Sequence, residues 1–348
     1  MKSTPLVSRR GVVRSPLIPK LLPKLLGLLV LLSVLLPCVP VWASPSQACP
    51  AGMVLIHGGN FRIGSNGFYP EEHSAEDVTI SEFCMGQYEV TNAEFTAFVN
   101  ATGYVTVAER SLSQEQFPDL TENERSPGSV VFQIAQPSPQ GEVPLLSWWQ
   151  WVPGVNWQHP EGAGSTLEGR ENHPVVHVAY EDAEAYAHWA GLSLPTEAQW
   201  EYAARGGLKD KIFAWGNRYS AQKANTWQGN FPFHNTQDDG YAGTAPVGSF
   251  PANGYGLFDM TGNVWEWTQD WYHVGHDFMN HATNPSMADS AQSSDPRDPG
   301  VAKHVIKGGS YLCAKNYCSR YRPAAREAQS PDTGTSHIGF RLVKNLPV

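Results

Sequence analysis

The chain has 348 residues, with 24 Lys plus Arg against 33 Asp plus Glu and a formal net charge of −9. That acidic balance excludes a nucleic-acid partner, whose phosphates demand a basic face. With 32 Gly, 27 Pro and 12 Trp but only 5 Cys, the composition predicts many turns, short elements and much of the chain in loops.

The first 43 residues carry Lys2, Arg9, Arg10, Arg14, Lys20 and Lys24 and no acid, and Leu25 to Ala43 is uncharged and largely apolar. This is a secretory signal pattern, with Val41-Trp42-Ala43 fitting the small-residue cleavage rule. The run is long enough to remain as a membrane anchor, but Pro37 and Pro40 favour cleavage. Arg9-Arg10 lies far from the apolar run and carries little weight as a twin-arginine signal. The expected organisation is a signal peptide over residues 1–43 and one exported domain over 44–348, bearing a charge of about −15. An exported acidic protein meets abundant Ca²⁺, for which carboxylate, amide and carbonyl oxygens are suitable hard ligands.

"CPAGMVLIHGGNFRIGS" alternates apolar residues on either side of Gly58-Gly59 and predicts a short β-hairpin. "DVTISEFCMGQYEVT" predicts further strand. Cys49 and Cys84 bracket this region and pair as a disulfide in an oxidising compartment. In "TNAEFTAFVNATG", Thr91 and Glu94 form a capping box, Phe95, Phe98 and Val99 make an apolar stripe, and Gly103 ends the helix. From residue 104 to 172 the periodic signals fade into a Pro, Gly and Trp-rich stretch. The density of Trp148, Trp149, Trp151 and Trp157 makes it a packed loop over a cleft. "EDAEAYAHWAG" predicts a helix capped by Asp182, with Tyr186, Trp189 and Ala190 inward. "LPTEAQWEYAARGG" repeats the capping box at Thr196 and Gln199, with Glu197 and Glu201 as solvated or paired face residues. No P-loop, GxGxxG, HExxH or solenoid repeat is present.

"GGSYLCAKNYCSRYR" places Cys313 and Cys318 in a C-x4-C pair. A structural zinc site needs four N or S ligands, and only His304 and His337 are at hand to add to the pair, without ligand-like spacing. A local disulfide fits the spacing. So does a soft monovalent metal, since two thiolates hold Cu(I) in an open site that admits a third sulfur. Lys315, Arg320, Arg322 and Arg326 surround the pair with positive charge, which favours thiolate.

These strings, with "YEVTNAEFTAFV", "NWQHPEG", "HPVVHVAYEDAEAYAHWAG", "FAWGN", "GNVWEWTQDWY" and "PDTGTSHIGFRLV", resemble the formylglycine-generating enzymes from about Gly52 to Val343. That family converts a cysteine of newly made sulfatases to Cα-formylglycine. The resemblance implies a single loop-rich α+β domain, distantly C-type-lectin-like, with limited regular structure. It also implies Cu(I) on Cys313 and Cys318, the substrate cysteine as third thiolate, and O₂ as oxidant, with Ser310 beside the metal in oxygen handling. Hydrogen removal from the substrate Cβ and hydrolysis of a thioaldehyde then give the aldehyde. Two structural Ca²⁺ are implied: one at the Asn225 side chain, Thr226 carbonyl, Asp239 side chain and Tyr241 carbonyl, the other at Asp259, the Gly262 and Val264 carbonyls and Glu266. The expected partner is an unfolded sulfatase segment of the C-x-P-x-R type, held in a groove walled by residues of the 140s to 160s and the arginines after Cys318.

The residue after the first cysteine, often His in catalytic members, is Ala314. Two rival readings stand beside this one. The first is a superfamily member oxidising another exported peptide or a siderophore precursor. The second is a non-catalytic, Ca²⁺-stabilised peptide-binding module with Cys313 and Cys318 in a disulfide.

Overall fold

The structure, a computed structural model, describes residues 49–115, 117–135 and 144–347. The expected signal segment lies outside the described residues. In chain order the regular elements are β1 (Met53–Ile56), β2 (Gly59–Ile63), β3 (Glu76–Ile80), β4 (Phe83–Gly86), α1 (Asn92–Thr102), α2 (Glu122–Arg125), β5 (Gly128–Phe132) and β6 (Trp149–Pro153). Then follow α3 (Tyr180–Trp189), α4 (Glu197–Arg205), β7 (Gly229–Asn230), β8 (His234–Asn235), β9 (Trp265–Trp271), β10 (His304–Lys307), β11 (Arg326–Gln329), β12 (Ile338–Gly339) and β13 (Val343–Asn345). Helices and strands are short and loops join them, as the Gly and Pro content predicts, and the α+β class is the one the resemblance implies.

A four-stranded sheet in the order β11-β10-β9-β12 carries the site-bearing loops. Its long strand β9 is buried on both faces, with Trp265 and Trp267 among the aromatic core. α1 and α3 pack on this core, and Phe95, Phe98 and Tyr186 interlock with Phe340 and Trp157. The predicted capping box at Thr91 and Glu94 is formed, and Gly103 ends α1 in the left-handed region. α4 is capped the same way by Thr196 and Gln199.

Four local expectations need correction. β1 and β2 do not form a hairpin. β1 pairs with β4, whose other edge takes β13, and β2 pairs with β3. Gly58 allows this passage from one sheet to another, because a Cβ there would lie 2.6 Å from the Ile80 carbonyl oxygen. The disulfide joins Cys49 to Cys84 on β4; closing a loop of that separation contributes roughly 3–4 kcal/mol on the chain-entropy model. In α3, Trp189 and Ala190 face outward, and Asp182, Ala183, Tyr186 and Ala187 are the buried set. Asp182 reaches back as the N3 residue to accept from the Ala179 N–H at 2.8 Å. The Trp-rich stretch holds an antiparallel β5–β6 pair in place of continuous loop.

The fourth correction concerns Glu197 and Glu201, which are paired, one of the two expected states, but are fully buried and not on a solvated face. Lys307 Nζ lies 3.0 Å from Glu201 and 3.4 Å from Glu197, Arg326 lies 2.7 Å from Glu197, and Arg205 pairs with Glu201. Asp270 completes the group by capping α4 through the Glu197 N–H at 2.6 Å, and burial pushes its carboxyl up to about 6. Burial alone would raise Glu197 as well, but Arg326 and Lys307 hold it well below the ordinary carboxylate range. Because that folded-state value is depressed, the stability it contributes is present above its unfolded pKa of about 4.3 and fades as pH falls further.

Replacing Lys307 by Met removes the cation shared by two buried carboxylates and leaves each with a single guanidinium partner. We expect Lys307→Met to lower the unfolding free energy by about 3–5 kcal/mol, read as a drop in denaturant midpoint at constant m-value.

Candidate functional site

β10 ends in Gly308 and Gly309, and the chain then turns into the segment carrying Cys313 and Cys318. Gly309 has φ +71°, and a Cβ there would sit 2.8 Å from the Arg320 carbonyl group. The glycine therefore lets the outgoing chain cross the strand that returns from Cys318. The Cys313 N–H donates to the Ser310 carbonyl at 2.9 Å, and the Cys318 N–H donates to the Ala314 carbonyl at 2.8 Å. One turn of helix-like backbone thus separates the cysteines and brings their sulfurs 2.6 Å apart, both buried and unbonded to any other cysteine.

The pair is asymmetric. A hydrogen bond from the Cys313 thiol lowers Cys318 against the effect of burial, and the Arg320 guanidinium assists. Burial and the adjoining sulfur push Cys313 well up. The pair is therefore biased to lose its first proton at Cys318, and thiolate is the form that soft cations bind. Ser310 is fully buried beside them, with its Oγ accepting from the Leu312 N–H at 3.2 Å.

Arg320 is the cation that reaches the thiols, and it is held by Glu71 and stacked on Tyr69 at 4.0 Å. Arg322 and Arg326 are instead engaged by buried acids. Arg322 is buried against Glu72 and Phe68, and Arg326 belongs to the Glu197 network. Positive groups this deep in the protein are paired because leaving them unpaired is costly. The segment 68–72 thereby clamps the chain leaving Cys318.

An aromatic cluster covers the other side of the loop. Tyr317 stacks on Phe231 at 4.5 Å, Trp148 meets both edge-on, and Trp227 donates its backbone N–H to the Cys313 carbonyl at 3.1 Å. Trp148 and Trp149 of the Trp-rich stretch belong here, and Tyr317 is 42 % exposed, so the cluster has an open edge. His304 and His337 are not ligand-like: His304 is stacked between Tyr180 and Trp271, and His337 on Trp149.

Two oxygen-rich clusters contain the expected calcium ligands. In the first, Asp239 accepts from the Thr226 N–H at 2.9 Å and the Tyr241 N–H at 3.0 Å, which gathers Asn225, Thr226, Asp239 and Tyr241 into one loop knot. The Asn225 Oδ1 is buried without a partner, an unmet acceptor that suits a hard cation. In the second, the Glu266 carboxylate receives Arg341 and the Trp200 indole N–H. Asp259, preceding Gly262 and Val264, accepts from the Gly248 N–H at 2.6 Å, and burial pushes its carboxyl up to about 6. Glu89, missed from the sequence, is the third buried acid here. Its Oε2 has no partner, and burial with Asp259 nearby raises it well above the ordinary range. Glu89, Asp259 and Glu266 thus lie close enough to Arg341 to share its positive charge.

By contrast, Glu197, Glu201 and His276 present ligand atoms within 4.8 Å of one another. Lys307, Arg326 and Arg205 already neutralise that cluster. It is an ion-pair lattice, not a cation site.

The fold and the buried dithiol define a loop-rich α+β domain that presents paired cysteines from a glycine-gated loop. Residues 41–346 match the sulfatase-modifying factor enzyme 1-like domain, and the chain belongs to that family. It is 49 % identical over 296 residues to the formylglycine-generating enzyme of Mycobacterium tuberculosis, covering 84 % of this chain and 97 % of that one. It is 47 % identical over 304 residues to the enzyme of the same name from Thermomonospora curvata, covering 85 % and 94 %. The structure of PvdO from Pseudomonas aeruginosa superposes with a TM-score of 0.58 at 25 % identity, covering 84 % of this chain and 94 % of that one.

Arg320→Ala should move the pH profile of Cys318 alkylation in the metal-free protein upward. The rate at neutral pH would fall about tenfold for each unit of pKa gained; an unmoved profile would show that Arg320 does not support the thiolate.

Proposed function

We propose that this protein is an exported, copper-dependent oxidase that uses O₂ to convert a cysteine in an unfolded sulfatase segment of the C-x-P-x-R type to Cα-formylglycine. The observation that carries the reading is the buried Cys313–Cys318 pair, whose sulfurs lie 2.6 Å apart. Soft sulfur donors of this kind suit Cu(I) and not the hard ions, and Cu(I) on the two sulfurs would supply the centre at which O₂ is reduced. The relatives named for formylglycine generation match along most of this chain and support the substrate class.

The chain's own residues have definable roles in such a reaction. Cys318 enters as thiolate and Cys313 gives up its proton when metal binds. Ser310 has no acceptor for its own O–H among the described residues, which leaves that proton available beside the sulfurs. Trp148, Trp227 and Phe231 limit water at the dithiol, while the exposed edge of Tyr317 admits an extended peptide. Ala314 provides no proton at the position after the first cysteine, so Ser310 and the dithiol carry proton transfer. Export is supported by the residues before position 44 and by the Cys49–Cys84 disulfide, since such bonds persist in oxidising compartments. Asn225, Thr226, Asp239 and Tyr241, and separately Asp259, Gly262, Val264, Glu266 and Glu89, would hold structural Ca²⁺.

A synthetic C-x-P-x-R peptide incubated aerobically with the Cu(I)-loaded protein should lose its thiol and gain the aldehyde by mass spectrometry. Cys313→Ser and Cys318→Ser should each abolish conversion. Tight copper binding without conversion would redirect the reading to another exported substrate, and absence of copper binding would overturn it. Chelation of Ca²⁺ should lower the melting temperature. At a Ca²⁺ concentration 100 times Kd the stabilisation lost is about 2.7 kcal/mol per site, and an unchanged melting temperature would contradict the calcium assignment.

A further inference from the structure

The two unpartnered oxygens of the cation clusters, on Asn225 and Glu89, are ends of one hydrogen-bonded relay whose centre is Asn263. Asn263 is 1 % exposed, has φ +54°, and stands between Gly262 and Val264. Its Oδ1 accepts from the Ala245 N–H at 2.8 Å and from Asn225 Nδ2 at 3.1 Å. Its Nδ2 donates to Glu89 Oε1 at 3.1 Å and to the Ala245 carbonyl at 3.4 Å.

The backbone of Ala245 fixes which way this amide faces. Turning it over would set NH₂ against the Ala245 N–H and oxygen against the Ala245 carbonyl, so one orientation survives. That orientation dictates the neighbours. Asn225 must give its NH₂ to Asn263 and to the Gly243 carbonyl at 2.9 Å, so its Oδ1 is the atom left over. Glu89 must spend Oε1 on Asn263, so Oε2 is left over. A buried acceptor without a partner is costly, and a hard cation removes that cost at each end. The backbone of Asn263 extends the relay to the dithiol loop. Its N–H donates to the Asn225 carbonyl at 2.9 Å, its carbonyl accepts from the Tyr311 N–H at 2.9 Å, and the Gly262 N–H donates to the Gly308 carbonyl at 3.0 Å.

We propose that Asn263 is a shared positioning residue: it ligates neither ion, yet presets one ligand oxygen in each of the two cation sites and ties both to the loop bearing Ser310 and Cys313. The inference rests on the calcium reading above and assigns a role to a residue outside both ligand sets.

The test is calorimetric titration of Ca²⁺ into the intact calcium-depleted protein. Asp239→Ala and Asp259→Ala each remove one binding step and so identify which step belongs to which site. Asn263→Ala should weaken both steps, each by about tenfold or more, the size of effect usual for residues that orient metal ligands. A merely destabilising substitution would lower the melting temperature and leave the affinities of the folded protein unmoved. Weakening of one step alone, or of neither, overturns the proposal. Because Asn263→Ala risks misfolding, the wild-type protein supplies a second measurement. The ¹⁵N side-chain amide resonance of Asn263 should shift at both binding steps, and a shift at only one step or at none overturns the shared role. If the wild-type protein takes up no Ca²⁺ at all, the calcium reading itself is at fault and the inference falls with it.

Discussion

Every charge taken out of water in this protein must be matched inside it, and that requirement organises the molecule. Glu197 and Glu201 are answered by Lys307, Arg326 and Arg205, which knit α4 to β10 and β11, while Asp270 accepts from the Glu197 and Met287 N–H groups. Glu72 is answered by Arg322, and Glu71 by Arg320. The acids around Glu266 have only Arg341. Burying a carboxylate without compensation raises its pKa or recruits a cation, and at this place the protein supplies oxygen donors where elsewhere it supplies guanidinium groups. Buried ion pairs tie short strands and loops together alongside the regular secondary structure.

The site inherits its geometry from that lattice. Lys307 ends β10 and is pinned beneath α4, so Gly308 and Gly309 start the dithiol loop from a fixed point. Arg320 and Arg322, anchored by residues 71 and 72, fix the chain where it leaves Cys318. With both ends held, one helical turn between Ala314 and Cys318 brings the sulfurs together. The Cys313 hydrogen bond lowers Cys318 first, and the pairing that holds Arg320 in place sets that guanidinium close enough to assist. Tyr317 keeps one edge of the aromatic cluster exposed.

Much of this was legible in the sequence, and the parts that were not share a cause. Helix ends were readable because Thr91, Thr196 and Gly103 act on neighbours three or four residues away. The cysteine pair was readable from its own spacing, whereas the two oxygen-donor sets were expected only through motif resemblance. Strand pairing was not readable at β1, where the apolar alternation fits a hairpin and the actual partner, β4, lies some thirty residues on. Trp189 was misjudged because helical period alone does not say where the core ends. Glu89, Asn263 and the buried state of Glu197 were hidden for one reason: a charged or amide side chain looks surface-bound until its distant partner is known. An acid flanked by Tyr88 and Val90 just before a capped helix was the available hint for Glu89.

The central claim is that Cys313 and Cys318 form a reduced dithiol site for Cu(I) which a substrate cysteine completes. X-ray absorption at the copper edge of the Cu(I)-loaded protein tests it most directly. The account predicts sulfur scatterers alone, with the sulfur count rising by one when a cysteine-containing peptide is added and staying fixed when the peptide carries serine instead. Nitrogen or oxygen in the first shell, or a sulfur count indifferent to the peptide cysteine, would contradict it.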